Sequence, residues 1–227
     1  MARVLIQQLA GPALQNSIPQ PLYDTTQIGT TASGEQFLFQ NPAGATGISG
    51  SGTKTLADTN MTMNGQLSAG DAFAIRGYGI NPLCRDTAAA GLVASSLSLQ
   101  DISDFRRFLA QTIFRFQTGS DGRKCIEVHA DQLPAGVGLE GVVATGGTTT
   151  AGQNMAYITG NGVRQADNRF SLGANFAEYV RAGENFRGSL FWPASLSFSN
   201  TFNVRVLLSG IWFQAISVGG APVPVSA

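Results

Sequence analysis

The feature that most constrains this chain is its repeated division into short apolar runs, separated by clusters of Gly, Ser, Thr, Asn and Pro. In Phe73-Ala74-Ile75-Arg76-Gly77-Tyr78-Gly79-Ile80 large residues alternate closely, as a strand with one buried face requires. Thr112–Thr118 and Lys124–His129 flank Gly119-Ser120-Asp121-Gly122, a turn suited to positive φ, and predict a hairpin. Further strand candidates are Gln36–Gln40, Thr59–Leu67, Asp71–Asn81 and Glu184–Trp192, and Met155–Thr159 with Val163–Leu172 reads as a second hairpin. A long apolar pair, Phe202–Leu208 and Ile211–Ile216, ends the pattern. One helix is predicted at Ser98–Gln111, where Ser98 or Asp101 supplies a cap and Ile102, Phe105, Phe108 and Leu109 fall at three- and four-residue spacing.

About eight to ten short strands with one crossover helix predict an all-β chain, a β-sandwich of jelly-roll type. Residues 1–34 carry only Arg3 and Asp24 as charges, with Pro12, Pro19 and Pro21 among them, and read as an extended N-terminal arm. Residues 35–227 read as a single β-sandwich domain, with no internal repeat and long loops at 41–54 and 134–153.

Charge narrows the function. Only 12% of the 227 residues are charged, against roughly 25% in an ordinary globular protein. The polar surface must therefore come from Ser, Thr, Asn, Gln and backbone, which lose less than charged groups when a partner covers them. Fourteen basic residues balance fourteen acidic ones, and no basic run exists for phosphate contacts, which argues against nucleic-acid binding as the main activity. No stretch reaches the 18 or more apolar residues of a membrane span, and Met1–Ala10 is a poor signal peptide, so synthesis in a cytoplasm is expected.

Few residues offer chemistry. Gly47–Thr55 resembles a phosphate-binding loop with one extra residue before Lys54, but neither flank supplies the required strand and helix, and a flexible loop is expected. Glu127, His129 and Asp131 alternate, so a strand would project all three from one face, for a metal or for acid–base work. The plainer reading makes them the polar outer face of a strand. His129 is the sole histidine, so any Ser-His or Cys-His nucleophile would need it. No catalytic, cofactor-binding or metal-binding residue is assigned, and no cofactor is expected. Cys84 and Cys125 lie near apolar sequence and read as buried thiols, with one disulfide as the alternative. Asn60-Met61-Thr62 matches a glycosylation acceptor by coincidence, and Trp192 and Trp212, set among apolar neighbours, read as core rather than as ligand platforms.

Val180-Arg181-Ala182-Gly183-Glu184-Asn185-Phe186 with the run through Leu190, Val204–Ile211, and Leu67–Ile75 resemble strands of viral coat proteins. The design is similar to the single jelly-roll coat proteins of tailless icosahedral phages. That resemblance implies a virion structural protein, a capsid subunit made in the host cytoplasm that assembles with copies of itself and with other virion proteins into a large symmetric shell. A phage spike or decoration protein and a carbohydrate-binding β-sandwich are the alternatives. An enzyme would have to rest on Glu127, His129 or Asp131.

Overall fold

The computed structural model describes residues 15–48, 52–83, 99–119, 122–133, 141–144, 155–158, 170–172 and 178–215. Their strands are β1 (Gln15–Ile18), β2 (Leu22–Ile28), β3 (Thr31–Leu38), β4 (Thr46–Ile48), β5 (Gly52–Thr53), β6 (Asp71–Leu83), β7 (Ile113–Thr118), β8 (Arg123–His129), β9 (Gly141–Ala144), β10 (Met155–Ile158), β11 (Phe170–Ser171), β12 (Glu178–Val180), β13 (Phe186–Ser197) and β14 (Phe202–Ala215). Helix α1 (Leu99–Gln111) joins β6 to β7, and a 3-10 turn, Ala130–Gln132, follows β8.

Two antiparallel sheets face each other. In the first, β14 lies between β6 on one side and β1 and β2 on the other, while β11 and β12 add to the free edge of β6. The second has the order β3-β13-β7-β8. If the eight principal strands β2, β3, β6, β7, β8, β12, β13 and β14 are counted one to eight, first pairs with eighth, second with seventh, third with sixth and fourth with fifth. That is an antiparallel ribbon folded back on itself. Rolling it up adds the contacts β14–β6 and β13–β7, which divide it into two sheets. The chain is an all-β jelly-roll sandwich with one crossover helix.

Alternation drives this arrangement. In β7 the inward residues Phe114, Phe116 and Thr118 are buried and their neighbours are not. Tyr78 of the opposite sheet meets Phe114 and Phe116 with ring centroids 5.9 and 5.8 Å apart, closing the middle of the sandwich. Helix α1 buries Phe105 and Phe108 and packs Leu109 against the same core, as its spacing predicts. Its buried Asp104 accepts the Ser199 N–H at 2.7 Å and Arg107 donates to the Ser197 carbonyl at 2.9 Å, so the helix is tied to the β13–β14 turn. Ser98 lies outside the described residues.

Burial raises the Tyr78 hydroxyl far above its ordinary pKa, with the negative charges of Cys125 thiolate and Glu178 adding to it. Above about pH 10 the unfolded chain loses this proton and the folded chain keeps it, so stability falls with rising pH. The expected loss from Tyr78 alone is about 1.4 kcal/mol in total between pH 9 and 11, steepening toward about 1.4 kcal/mol per pH unit above that. Urea titrations between pH 9 and 11 check it: Tyr78→Phe removes that part of the slope, and an unchanged slope in the variant contradicts the account.

The structure corrects several expectations. The proposed arm does not extend to residue 34. Residues 1–14 lie outside the described residues, but β2 pairs with β14 from Leu22↔Leu208 to Ile28↔Phe202, and Leu22 and Ile28 are fully buried. Pro19 and Pro21 stand in the connection before β2, where no ladder N–H is needed. The low charge that read as an arm belongs to a strand buried along most of its length. Thr59–Leu67 is a series of bends rather than a strand, with Thr59 bridging Asp24. Met155–Ile158 pairs with β9 and Phe170–Ser171 joins β6, while residues 159–169 of the expected hairpin lie outside the described residues. The apolar pair near the C-terminus is one strand, β14, with a register shift at Ser209–Gly210. Gly210 in this strand serves close approach: a Cβ there would lie 2.1 Å from the Ala74 carbonyl oxygen. Part of the 41–54 loop forms the β4–β5 hairpin.

Candidate interaction surfaces

Lys54, the residue a phosphate-binding loop would need, is turned inward. Its Nζ lies 2.5 Å from Asp24 Oδ1, and the two side chains are 3% and 1% exposed. The Phe39 N–H donates to the other carboxylate oxygen at 2.7 Å, from a residue held at φ +63°. Burial pushes the Asp24 carboxyl above its ordinary pKa, opposed by Lys54, the Phe39 amide and Thr59. Backbone bonds from Lys54 N to Ala45 O and from Gly44 N to Lys54 O complete the anchor. The lysine therefore pins the segment after β5 to β2, and its charge is not offered to a phosphate.

Glu127 and His129 project from the outer face of β8, both exposed, while Asp131 lies beyond the strand in the 3-10 turn. They are not gathered around a common point. Glu127 belongs to a different network: Arg115 donates from Nε to Glu127 Oε2 at 2.9 Å, its Nη1 lies 3.8 Å from Glu35, and its guanidinium sits 3.9 Å from the Phe191 ring centre. Ser189 donates to Glu35 at 2.6 Å. Beside it, Arg187 donates to Gln117 Oε1 at 2.8 Å and lies over the ring of Phe37, which is 47% exposed. Among the described residues no three His, Cys, Asp or Glu side chains are placed to hold a metal ion. The sequence pattern marks only the β8 members of this face, because the others come from three more strands.

Neither tryptophan forms a ligand platform. Trp192 is 3% exposed and donates to Thr112 Oγ1 at 2.9 Å, and Trp212 packs partly buried against the core, edge-on to Phe73 at 5.7 Å. Cys125 is a half-buried free thiol whose pKa is raised, first by burial, and Cys84 lies outside the described residues. The amide of Asn60 donates to the Pro21 carbonyl at 2.8 Å and accepts the Tyr23 N–H at 2.9 Å, so the acceptor pattern is a structural tie between β2 and the segment after β5.

One end of the sandwich carries two adjoining shallow clefts, both reaching Gly119 of the β7–β8 turn. The larger, about 410 Å³, is lined by Gln40, Asn64, Gln117, Asn185 and Arg187 among others. The smaller, about 370 Å³, includes Arg123, Glu178, Tyr179 and Arg181. Arg123 pairs with Glu178 at 2.6 Å, and Gln66 donates to Asn185 Oδ1 at 2.5 Å, so much of this polar lining is already tied together.

The fold and its surfaces define a jelly-roll sandwich with a charge-paired outer sheet face and a polar end. Comparison goes no further: no family model, no curated protein and no solved structure matches the chain. Among the described residues no helix is long and apolar enough to cross a membrane.

Proposed function

We propose that this chain is a virion structural protein, a capsid subunit that assembles with copies of itself and other virion proteins into a closed shell. The observation that carries the reading is how charge is handled on a jelly-roll body. With only 12% charged residues, the chain directs many of them inward or toward each other: Lys54 to Asp24, Arg115 to Glu35 and Glu127, Arg123 to Glu178, Arg205 to the Ala57 carbonyl. Among the described residues Arg76, Arg106, Asp131 and Arg181 remain exposed, thinly spread over a surface of Ser, Thr, Asn, Gln and backbone that loses less than a charged one when covered. A shell subunit has to cover several faces at once, and closed symmetry multiplies contacts that are individually weak. Zero formal net charge also spares many copies from mutual repulsion. The reading involves no catalytic step and no cofactor.

Sedimentation velocity of the purified chain over a hundredfold range of concentration tests it. Species of hundreds of subunits are expected above a threshold concentration, and a species that stays monomeric throughout contradicts the reading. His129→Ala is expected to leave folding unchanged, whereas an enzyme built on the sole histidine would lose its activity.

The polar end of the sandwich favours a second reading, a carbohydrate-binding module. The amides of Gln40, Asn64, Gln117 and Asn185 offer donors and acceptors of the kind sugar hydroxyls use, in a cleft large enough for one or two sugar rings. That reading expects a small, discrete species and saturable binding on a glycan array, lost in Gln117→Ala.

A further inference from the structure

The outer face of the β3-β13-β7-β8 sheet can be laid out from its registers, since residues directly opposite in antiparallel strands share a face. One rung runs Glu35, Phe191, Ile113, His129. The next, two residues along, runs Phe37, Ser189, Arg115, Glu127. A third holds Arg187 and Gln117. Glu35 and Glu127 balance Arg115 and Arg187, Lys124 stands opposite Gln117 on the third rung, and the exposed Phe37 lies diagonal to the half-buried Phe191.

Two properties suit this face to being covered. Arg115 keeps Glu127 at 2.9 Å and Glu35 at 3.8 Å as its own partners, so a covering surface strands neither guanidinium nor carboxylate. That matters because an unpaired buried charge is what makes desolvation expensive. In addition, the face is complementary to itself. Turned over about an axis along the strands, between β13 and β7, it sets β3 over β8 and β13 over β7. Phe191, with the Arg115 guanidinium over its ring, then stands opposite Ile113 of the second copy, Glu35 meets its His129, and Arg187 meets its Gln117, while the buried Ser189 keeps its bond to Glu35 and makes no contact. Each of these pairings is an apolar, acid–imidazole or donor–acceptor match. The one mismatch is Phe37 over Glu127.

We propose that this sheet face is a contact surface for a second copy of the chain, related by a two-fold axis running along the strands; the proposal rests on the self-assembly reading above. The contact is isologous, so every pairing is made twice. At about 4.8 Å between strands and 6.8 Å between rungs the patch is roughly 15 Å on a side, well below the ~800 Å² per partner of a stable isolated pair. It therefore acts as one of several contacts in a closed assembly.

The mismatch provides the test. Phe37→Arg sets a guanidinium over Glu127 of the second copy, whereas Phe37→Glu sets two carboxylates together. Within one chain the ordering is reversed, because position 37 lies beside Arg187, whose guanidinium is 5.1 Å from the ring centre. Folding stability in urea should thus favour Phe37→Glu, and the threshold concentration for assembly should favour Phe37→Arg. Relative to wild type, the threshold is expected to fall about tenfold in Phe37→Arg and rise about tenfold in Phe37→Glu. Wild-type assembly with both variants at the wild-type threshold, or with thresholds that follow folding stability, overturns this face while leaving the assembly reading in place. A wild-type chain that never assembles overturns both.

Discussion

Lys54→Met is expected to lower the stability of the sandwich by about 3–5 kcal/mol at neutral pH, read as a loss of urea midpoint. The cause is the Asp24 carboxylate left behind, 1% exposed, with only the Phe39 amide and Thr59 to support it. Burial already raises the Asp24 pKa in the presence of Lys54, and removing the ammonium raises it further. The folded variant then holds a proton that the unfolded chain gives up near pH 4. Its deficit is therefore largest at neutral pH and shrinks as pH falls through the raised value toward 4. Combining Lys54→Met with Asp24→Leu removes both charges, and most of the loss should return, since a buried pair replaced by apolar groups of similar volume is often neutral. A Lys54→Met protein within about 0.5 kcal/mol of wild type would contradict the account, because that is the range of an ordinary surface substitution.

Phe202→Ala carries a comparable penalty for a different reason. The Phe202 ring stands edge-on to Phe105 at 5.0 Å, to Phe108 at 5.6 Å and to Phe198 at 5.2 Å. Those partners come from α1 and from the β13–β14 turn, so this one ring joins the crossover helix to the first strand position of β14. Truncation leaves a cavity that three other rings cannot fill without moving, and buried Phe→Ala changes cost about 3–5 kcal/mol. The loss should appear both in the urea midpoint and in the helical part of the circular dichroism, which should melt earlier than in wild type. A loss below about 1 kcal/mol would mean that the helix docks without this cluster.

Local structure was readable from residues because it depends on neighbours in the chain. The β7–β8 hairpin forms where expected, and Gly119 and Gly122 take φ of +80° and +67°, as that turn demands. Helix α1 occupies Leu99–Gln111, and Phe105 and Phe108 face the core. Long-range order is different. The pairing of Leu22 with Leu208 joins opposite ends of the chain, and nothing in either segment names its partner. The error over residues 15–34 has a physical origin: an uncharged arm awaiting a partner and an uncharged strand buried in its own sandwich have the same composition. Asp24, the one charge there, would have been the clue, because its partner Lys54 also stood isolated in uncharged sequence.

The candidate surface was legible in the same limited way. Alternation placed Glu127 and His129 on an outer face, yet the face is assembled from four strands whose outward residues span Glu35 to Phe191. Cross-strand partners such as Arg115 for Glu35 follow from strand order, which periodicity does not encode. The expectation that Trp192 is core held because it sits in a run whose alternate residues are buried, whereas Trp212 packs only partly buried against that core.

Negative-stain electron microscopy of the fastest-sedimenting fraction tests the central claim most directly. The account expects closed, regular particles built from many copies of the 227-residue chain, breaking up into small species when the protein is diluted below its threshold. A field of single small particles at every concentration would contradict it and move attention to the amide-lined cleft at the end of the sandwich.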